Sequence, residues 1–307
     1  MLQHQHVSVE TAVETACPAC RSGRLRHLPH SRVTGRQVLA CRSCGLRALA
    51  DRAALRLRPE GPSADNLEYD YAAYVSVMRE SATGADRERV LTRLEALTRG
   101  RPERSLFDLG AGDGLFCDQA RRYGFAVAGN ELSPEAVNLA KERYDVSLAL
   151  GTLDVLGLEN AHDVLTMWCV LAHVEDNDGL LTDTFRLLKP GGVLYLQTPR
   201  FTFADRAAGA AMTMSKGRAS GLVDARISEK HWQLHTPRSI KALLERHGFV
   251  DVEAIPRARF SLTSDFYLRS FGMPERMVGP ASRAMDYAIE RGAAPRIVLD
   301  VFARKPE

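Results

Sequence analysis

Residues 105–116 read Ser-Leu-Phe-Asp108-Leu-Gly110-Ala-Gly112-Asp-Gly114-Leu-Phe. A short apolar run stops at an acid, three glycines follow at alternate positions, and a helical pattern begins. Such a segment turns sharply from strand to helix, because glycine takes left-handed backbone angles freely and keeps a Cβ out of a ligand's way. The carboxyl end of a parallel strand is where open α/β sheets bind ligands. A dinucleotide site asks for G-x-G-x-x-G with an acid about twenty residues further on. Here the third glycine is one residue early, and Asp108 precedes the first. A carboxylate at that place repels a pyrophosphate and suits an ammonium group, so the turn favours a ligand with a positive amino-acid end. Glu131, in Gly129-Asn-Glu131-Leu-Ser, closes the next strand pattern, where its carboxylate can accept both hydroxyls of a ribose.

Around this turn, strand and helix patterns alternate over about a hundred residues, which predicts a parallel sheet with helices on both faces. Strands are expected at 105–109, 125–128, 146–150, 163–167, 193–197, 250–255 and 297–303. Helices are expected at 114–123, from Pro134 behind the cap Ser133, at 179–188 and at 240–247, with two more between Ser63 and Gly100 broken near Gly84. Residues 200–236 form an excursion above the sheet. Its Met212, Met214 and small residues suit an adaptable lid or acceptor wall; the alternative is a helix that packs only for stability.

These motifs resemble the class I S-adenosylmethionine-dependent methyltransferases over about residues 70–307. The resemblance rests on D-x-G-x-G-x-G at 108–114, the acid Glu131, Gly151-Thr-Leu153-Asp154 after the third strand, and Leu188-Lys-Pro-Gly-Gly192 before the fifth. It implies a doubly wound, Rossmann-like, seven-stranded methyltransferase sheet over 63–307, with S-adenosyl-L-methionine as cofactor. It places Asp108 near the methionyl ammonium, and Gly110, Gly112 and Gly114 where the backbone passes the cofactor. Glu131 falls on the ribose, Leu132, Leu153 and Asp154 around the adenine, and Trp168 beside the methionyl part. For Leu132 and Trp168 plain core packing is the alternative.

Ahead of this domain, residues 1–62 carry Cys17-Pro-Ala-Cys20 and Cys41-Arg-Ser-Cys44. Two C-x2-C knuckles at this spacing predict a closed four-thiolate zinc site, structural rather than catalytic because no coordination position is left open. The single Cys117 and Cys169 read as small buried hydrophobes. Residues 1–60 hold ten Arg against four acids, while the whole chain of 307 residues has a net charge of +3, so a basic head precedes a mildly acidic body. An anionic partner at the head follows, or a merely solvated basic surface. The head is also similar to that of bacterial methyltransferases whose knuckles end in C-x-x-C-G, here Cys41–Gly45, followed by a Tyr-rich segment, here Tyr69, Tyr71 and Tyr74. That likeness implies a sugar, polysaccharide or specialised-metabolite acceptor, with Tyr71 and Tyr74 on the substrate side.

A hydroxyl acceptor calls for a base, and histidine is the natural one near neutral pH. His173 follows the fourth strand in Val170-Leu-Ala-His173-Val, where similar enzymes have Glu-His-Val; Ala172 removes a carboxylate that would orient the ring. His231 lies near the end of the excursion, in Ser228-Glu-Lys-His231-Trp-Gln-Leu-His235-Thr-Pro, with His235 as a further substrate contact. Either His173 or His231 is the expected base. The favoured function is methylation of a small molecule on oxygen. Two rivals are an RNA methyltransferase using the Arg-rich head on phosphates, and a cofactor-binding scaffold without catalysis. No stretch reaches the roughly 20 apolar residues of a membrane span, and no apolar leader precedes residue 17. A cytoplasmic protein without disulfides is expected, and exposed Tyr and Met near the lid would permit a homodimer.

Overall fold

The computed structural model describes residues 15–50, 80–153, 159–228, 231–260, 263–270 and 272–307. Tyr69, Tyr71, Tyr74 and Asp154 lie outside these residues, as does the expected domain boundary at 62.

Seven strands form one sheet: β4 (Ser105–Leu109), β5 (Ala126–Glu131), β6 (Ala149–Leu150), β7 (His162–Trp168), β8 (Leu188–Pro199), β10 (Val250–Arg257) and β11 (Val298–Arg304). Their order is β10-β11-β8-β7-β4-β5-β6, parallel except for β11, which runs antiparallel between β8 and β10. Side chains alternate across the sheet with the period of two that a strand imposes. Leu106, Val164, Val193 and Tyr195 meet α1 (Glu80–Leu97) and α2 (Leu115–Arg122) through Val90, Leu91, Leu94, Phe116 and Ala120. Phe107, Leu165, Met167, Leu194 and Leu196 point the other way. There Leu181 and Leu187 of α4 (Asn177–Leu187) and Ile240, Leu243 and Leu244 of α7 (Pro237–Arg246) cover them. The doubly wound seven-stranded architecture expected from the sequence is therefore present.

Local corrections have local causes. α1 runs through Gly84 without a break; a mid-helix glycine costs only about 1 kcal/mol, and the buried Val90, Leu91 and Leu94 hold the helix to the sheet. The third strand shrinks to Ala149–Leu150. Val146 instead closes α3 (Pro134–Tyr144), its N–H donating to the Ala140 carbonyl after Asp145 turns left-handed at φ 51°. This is the usual way a helix end satisfies its last carbonyls. The cap of α3 is as expected, with the Ser133 hydroxyl accepting from the Ala136 N–H and Pro134 at the first position. Helices α8 (Ser264–Ser270) and α9 (Glu275–Glu290) have no counterpart in the sequence reading; Gly279 and Pro280, inside α9, conceal it.

The cysteine head is not a loose appendage. β1 (Leu25–His27), β2 (Val38–Cys41) and β3 (Arg47–Leu49) form an antiparallel sheet whose fourth strand is β9 (Gln233–Leu234), from the end of the excursion. Cys17, Ala19, Cys41, Cys44, Leu46 and Ala48 share one core with α4 and α7. Leu28, Val38, Ala40 and Leu49 share another with Phe201, Val223, Ile227, Trp232 and Leu234. The excursion itself is two helices, α5 (Phe203–Met214) and α6 (Gly221–Arg226). Met212 is fully buried in this second core while Met214 is 86% exposed, so only Met214 can serve a mobile wall. Polar ties hold the excursion to the head: Ser31 Oγ donates to Asp224 Oδ2 at 2.7 Å, and Arg32 Nε to the Lys216 carbonyl at 3.1 Å.

Candidate active site

The glycine turn sits at the carboxyl edge of β4. Gly110, Gly112 and Gly114 all have positive φ, at 65°, 57° and 76°. A Cβ on Gly110 would come within 2.9 Å of Val170 Cγ2, and one on Gly114 within 2.9 Å of Ala140 Cβ. Both the backbone angle and the space therefore exclude larger residues. Asp108 is buried and accepts a short hydrogen bond from Thr166 Oγ1 on the neighbouring β7. Burial pushes its carboxyl up to about 7, with the Thr166 hydroxyl opposing the shift. Glu131 closes the other side of the turn. One carboxylate oxygen accepts from the Gly112 N–H at 2.9 Å; the other accepts from the N–H groups of Leu132 and Ser133 at 2.6 and 3.1 Å. Ionised carboxylate oxygens have lone pairs to spare, so Glu131 can shape the loop and still receive ligand hydroxyls.

Leu132 is 41% exposed beside this acid, while Leu153 is buried nearby. Gly151 ties the segment to β5: its N–H donates to the Glu131 carbonyl at 2.9 Å, and its own carbonyl accepts from Asn130 Nδ2 at 2.7 Å. Leu150, 56% exposed, presents a further apolar surface on the same strand end. Trp168 packs edge-on to Phe116 and against Tyr195, with the Arg259 guanidinium 4.8 Å from its ring. That is largely core packing, although its buried Nε1–H finds no hydrogen-bond partner.

Next to the turn, beyond β7, the two candidate bases come together. The Cys169 N–H donates to the Gln197 carbonyl and the His173 N–H to the Val170 carbonyl, which fixes the post-strand turn. From the excursion, Ser228 and His231 exchange two backbone hydrogen bonds, and the Trp232 N–H donates to the Ala172 carbonyl at 2.9 Å. Gln233 Nε2 adds a bond to the Leu171 carbonyl at 3.0 Å. Ala172, fully buried, lets the two segments close. The rings of His173 and His231 end 4.7 Å apart at 47°. Cys169 Sγ lies 4.0 Å from His231 Nε2, on a backbone held left-handed at φ 66°. Cys169, half-buried and with its thiol pushed up to about 11 by burial, is thus not the fully enclosed core residue that its sequence context implied, and Thr166 is likewise a partner that no local pattern announces. His235 stands apart: it is fully buried, with Nδ1 3.1 Å from Ser239 Oγ inside the α7 cap.

The four head cysteines converge. Cys17 and Cys44 Sγ are 3.6 Å apart, Cys20 and Cys41 Sγ 3.7 Å, and all four sulfurs lie within 4.8 Å of one another. A zinc tetrahedron with 2.3 Å bonds has S···S edges of about 3.8 Å, so these residues fit the ion. The hydrogen bond from Cys44 holds the Cys17 thiol low, at about 5, while the same contact pushes Cys44 up and burial raises Cys20; an ion would have to displace the remaining protons. Beyond the knuckles, a cleft of about 380 Å³ opens between the head and α5. Arg26, Arg42, Arg47 and Arg206 rim it above the apolar Phe201 and Leu234.

A methyltransferase-domain family profile matches residues 82–254, more than half of the chain. The chain belongs to this methyltransferase family, and its fold is the Rossmann-like sheet of S-adenosylmethionine-dependent enzymes. Similar curated proteins include the ubiquinone biosynthesis O-methyltransferase of Caulobacter vibrioides, 33% identical over 101 residues, or 31% of this chain and 40% of that protein. The mitochondrial ubiquinone biosynthesis O-methyltransferase of Schizosaccharomyces pombe is 31% identical over 129 residues, or 38% and 47%. The chain thus spans less than half the length of these relatives. Among solved structures, the YcgJ protein of Bacillus subtilis superposes with a TM-score of 0.50 at 16% identity, covering 72% of this chain and 99% of that one. Among the described residues no helix is long and apolar enough to cross a membrane.

Proposed function

We propose that this protein methylates a hydroxyl of a small, anionic molecule, with zinc held by Cys17, Cys20, Cys41 and Cys44 as a structural support. The observation that carries the reading is the His173–His231 pair, 4.7 Å apart beside the glycine turn. S-adenosylmethionine, when bound, supplies an electrophilic methyl group on a sulfonium sulfur. Asp108 would hold its ammonium end and Glu131 its ribose. Leu132, Leu153 and Asp154 would border the adenine, and Trp168 would back the methionyl part. His173 or His231 takes the acceptor's proton, and two adjacent rings can pass it on to solvent. The similar relatives, both named as O-methyltransferases, favour oxygen as the methylated atom. The arginines that line the cleft of the head favour an anionic partner there, although His173 and His231 are not among that cleft's lining residues.

Replacing His231 with alanine is expected to lower kcat by about 10²–10⁴-fold and leave the Kd for S-adenosylhomocysteine unchanged. Methyl transfer to hydroxylated acceptors at the wild-type rate would remove His231 from the chemistry. Retention of the protein on RNA with a steep salt dependence would instead favour the nucleic-acid reading.

A pH effect follows from Asp108. Below about 7 its buried carboxyl is protonated and offers no charge to an ammonium. Cofactor affinity should therefore weaken as pH falls, by up to about tenfold per unit below that value. Calorimetry with S-adenosylhomocysteine between pH 8 and pH 6 reads this directly, and Asp108→Asn should bind weakly with a flat profile. For folding the sign is opposite to that of an ion-paired acid. The raised value means that the folded state binds the extra proton, so this group's contribution to stability declines as pH rises from about 4 through about 7.

A further inference from the structure

Cys169, His173 and His231 offer three ligand atoms that all lie within 4.8 Å of one another, at the acceptor side of the glycine turn. We infer that these three side chains bind a divalent metal ion of borderline softness, zinc being the natural occupant, as a second metal site distinct from the four-cysteine head. The inference rests on the reading that the acceptor enters over His173 and His231, and changes how they act: as ligands the imidazoles have no lone pair left for the acceptor's proton, so they act through the ion, and the proton of a ligated hydroxyl would pass to water on the open side.

Three features support the assignment. The donor set is right, because one thiolate and two imidazoles suit zinc, and three protein ligands with an open fourth position define catalytic rather than structural zinc sites. The spacing is close, because bonds of about 2.3 Å to sulfur and about 2.0 Å to nitrogen at a tetrahedral angle place S and N about 3.5 Å apart. Cys169 Sγ and His231 Nε2 stand at 4.0 Å, within reach of a small side-chain rotation. The scaffold is also built in advance. The turn carrying Cys169 and His173 and the segment carrying His231 are joined by the Trp232–Ala172 backbone bond and the Gln233–Leu171 bond. Cys169 itself has a left-handed backbone, φ 66°, held by the bond from its N–H to the Gln197 carbonyl. Half-buried Cys169 and His231 with exposed His173 leave one side open to solvent, as a site that admits an external ligand must. Oxygen ligands on such an ion lose protons more readily than in water, so acceptors with a hydroxyl free to ligate are the class this site selects.

The test is metal content. The full chain is equilibrated with excess Zn²⁺, freed of unbound metal, and measured by elemental analysis beside Cys169→Ser and His173→Ala. The expected result is a loss of about one zinc per chain in both variants, with unchanged thermal midpoint and S-adenosylhomocysteine affinity. Cobalt replacement gives a second readout: the absorption of wild type minus Cys169→Ser should show the visible ligand-field bands of tetrahedral cobalt and a near-ultraviolet charge-transfer band from a single thiolate. Equal zinc content in wild type and both variants, with no cobalt difference spectrum, overturns the site while leaving His231 free to act as a base. A zinc loss confined to the variants supports the site even if no acceptor is methylated, an outcome that would count against the proposed reaction alone.

Discussion

Cys41→Ser is expected to lower the thermal midpoint by roughly 10 °C or more, and strong chelation should do the same to the wild-type chain. Structural zinc contributes about 10–16 kcal/mol in small domains that fold around it. Here the head also has a hydrophobic core, so only part of that is at stake; a loss of roughly 5 kcal/mol corresponds to about 10–20 °C in a chain of this size. The effect should not stay in the head. Thr236 Oγ1 donates to the Cys44 carbonyl at 2.6 Å, Arg246 Nη2 donates to the Pro18 carbonyl at 2.9 Å, and Arg246 also pairs with Asp178. Leu49 N–H donates to the Trp232 carbonyl, one residue from His231. Loosening the knuckles therefore releases both the start of α7 and the strand that delivers His231. Methyl transfer should fall with the metal, before global unfolding. A midpoint unchanged within a degree or two by chelation and by Cys41→Ser would show that the cysteines need no ion.

Glu131→Ala should weaken S-adenosylhomocysteine binding by about 10²-fold or more while leaving the fold intact. A hydrogen bond to a charged group contributes about 1.5–3 kcal/mol, and a ribose offers two. The fold should tolerate the change. Glu131 is the last residue of β5, whose pairing with β4 runs from Ala126 to Asn130 through backbone bonds that this carboxylate does not make. The N–H groups of Gly112, Leu132 and Ser133, which the carboxylate now satisfies, lie at the sheet's open edge, where water can replace it. Titration calorimetry and a melting curve separate the two effects. An affinity within twofold of wild type would take the ribose role away from Glu131.

Much of the glycine turn and its surroundings was legible in the sequence. The turn glycines announce themselves by residue type, and the acids at 108 and 131 sit at strand ends fixed by period-two patterns. The Ser133–Pro134 cap and the two C-x2-C pairs are likewise complete within a few residues. Less legible were features whose local signals point elsewhere. Gly84 reads as a break, yet α1 continues because its buried face outweighs one glycine. Val146 reads as strand and serves as a helix stop. Cys169 reads as a core residue, since nothing in its own neighbourhood shows a partner 62 residues away.

By itself, then, the sequence determined the alternating α/β order, the glycine turn with its two acids, and the four-cysteine cluster. Each is set by backbone preference or by residues close along the chain. Tertiary structure alone decided that β9 completes the head's sheet, that the head shares a core with α4 and α7, and that Thr166 reaches Asp108. It also decided that Cys169, His173 and His231 meet. These contacts join segments whose separation along the chain leaves no periodic trace. Burial of apolar side chains at both ends closes the long loops between them, at an entropic cost that grows only slowly with loop length.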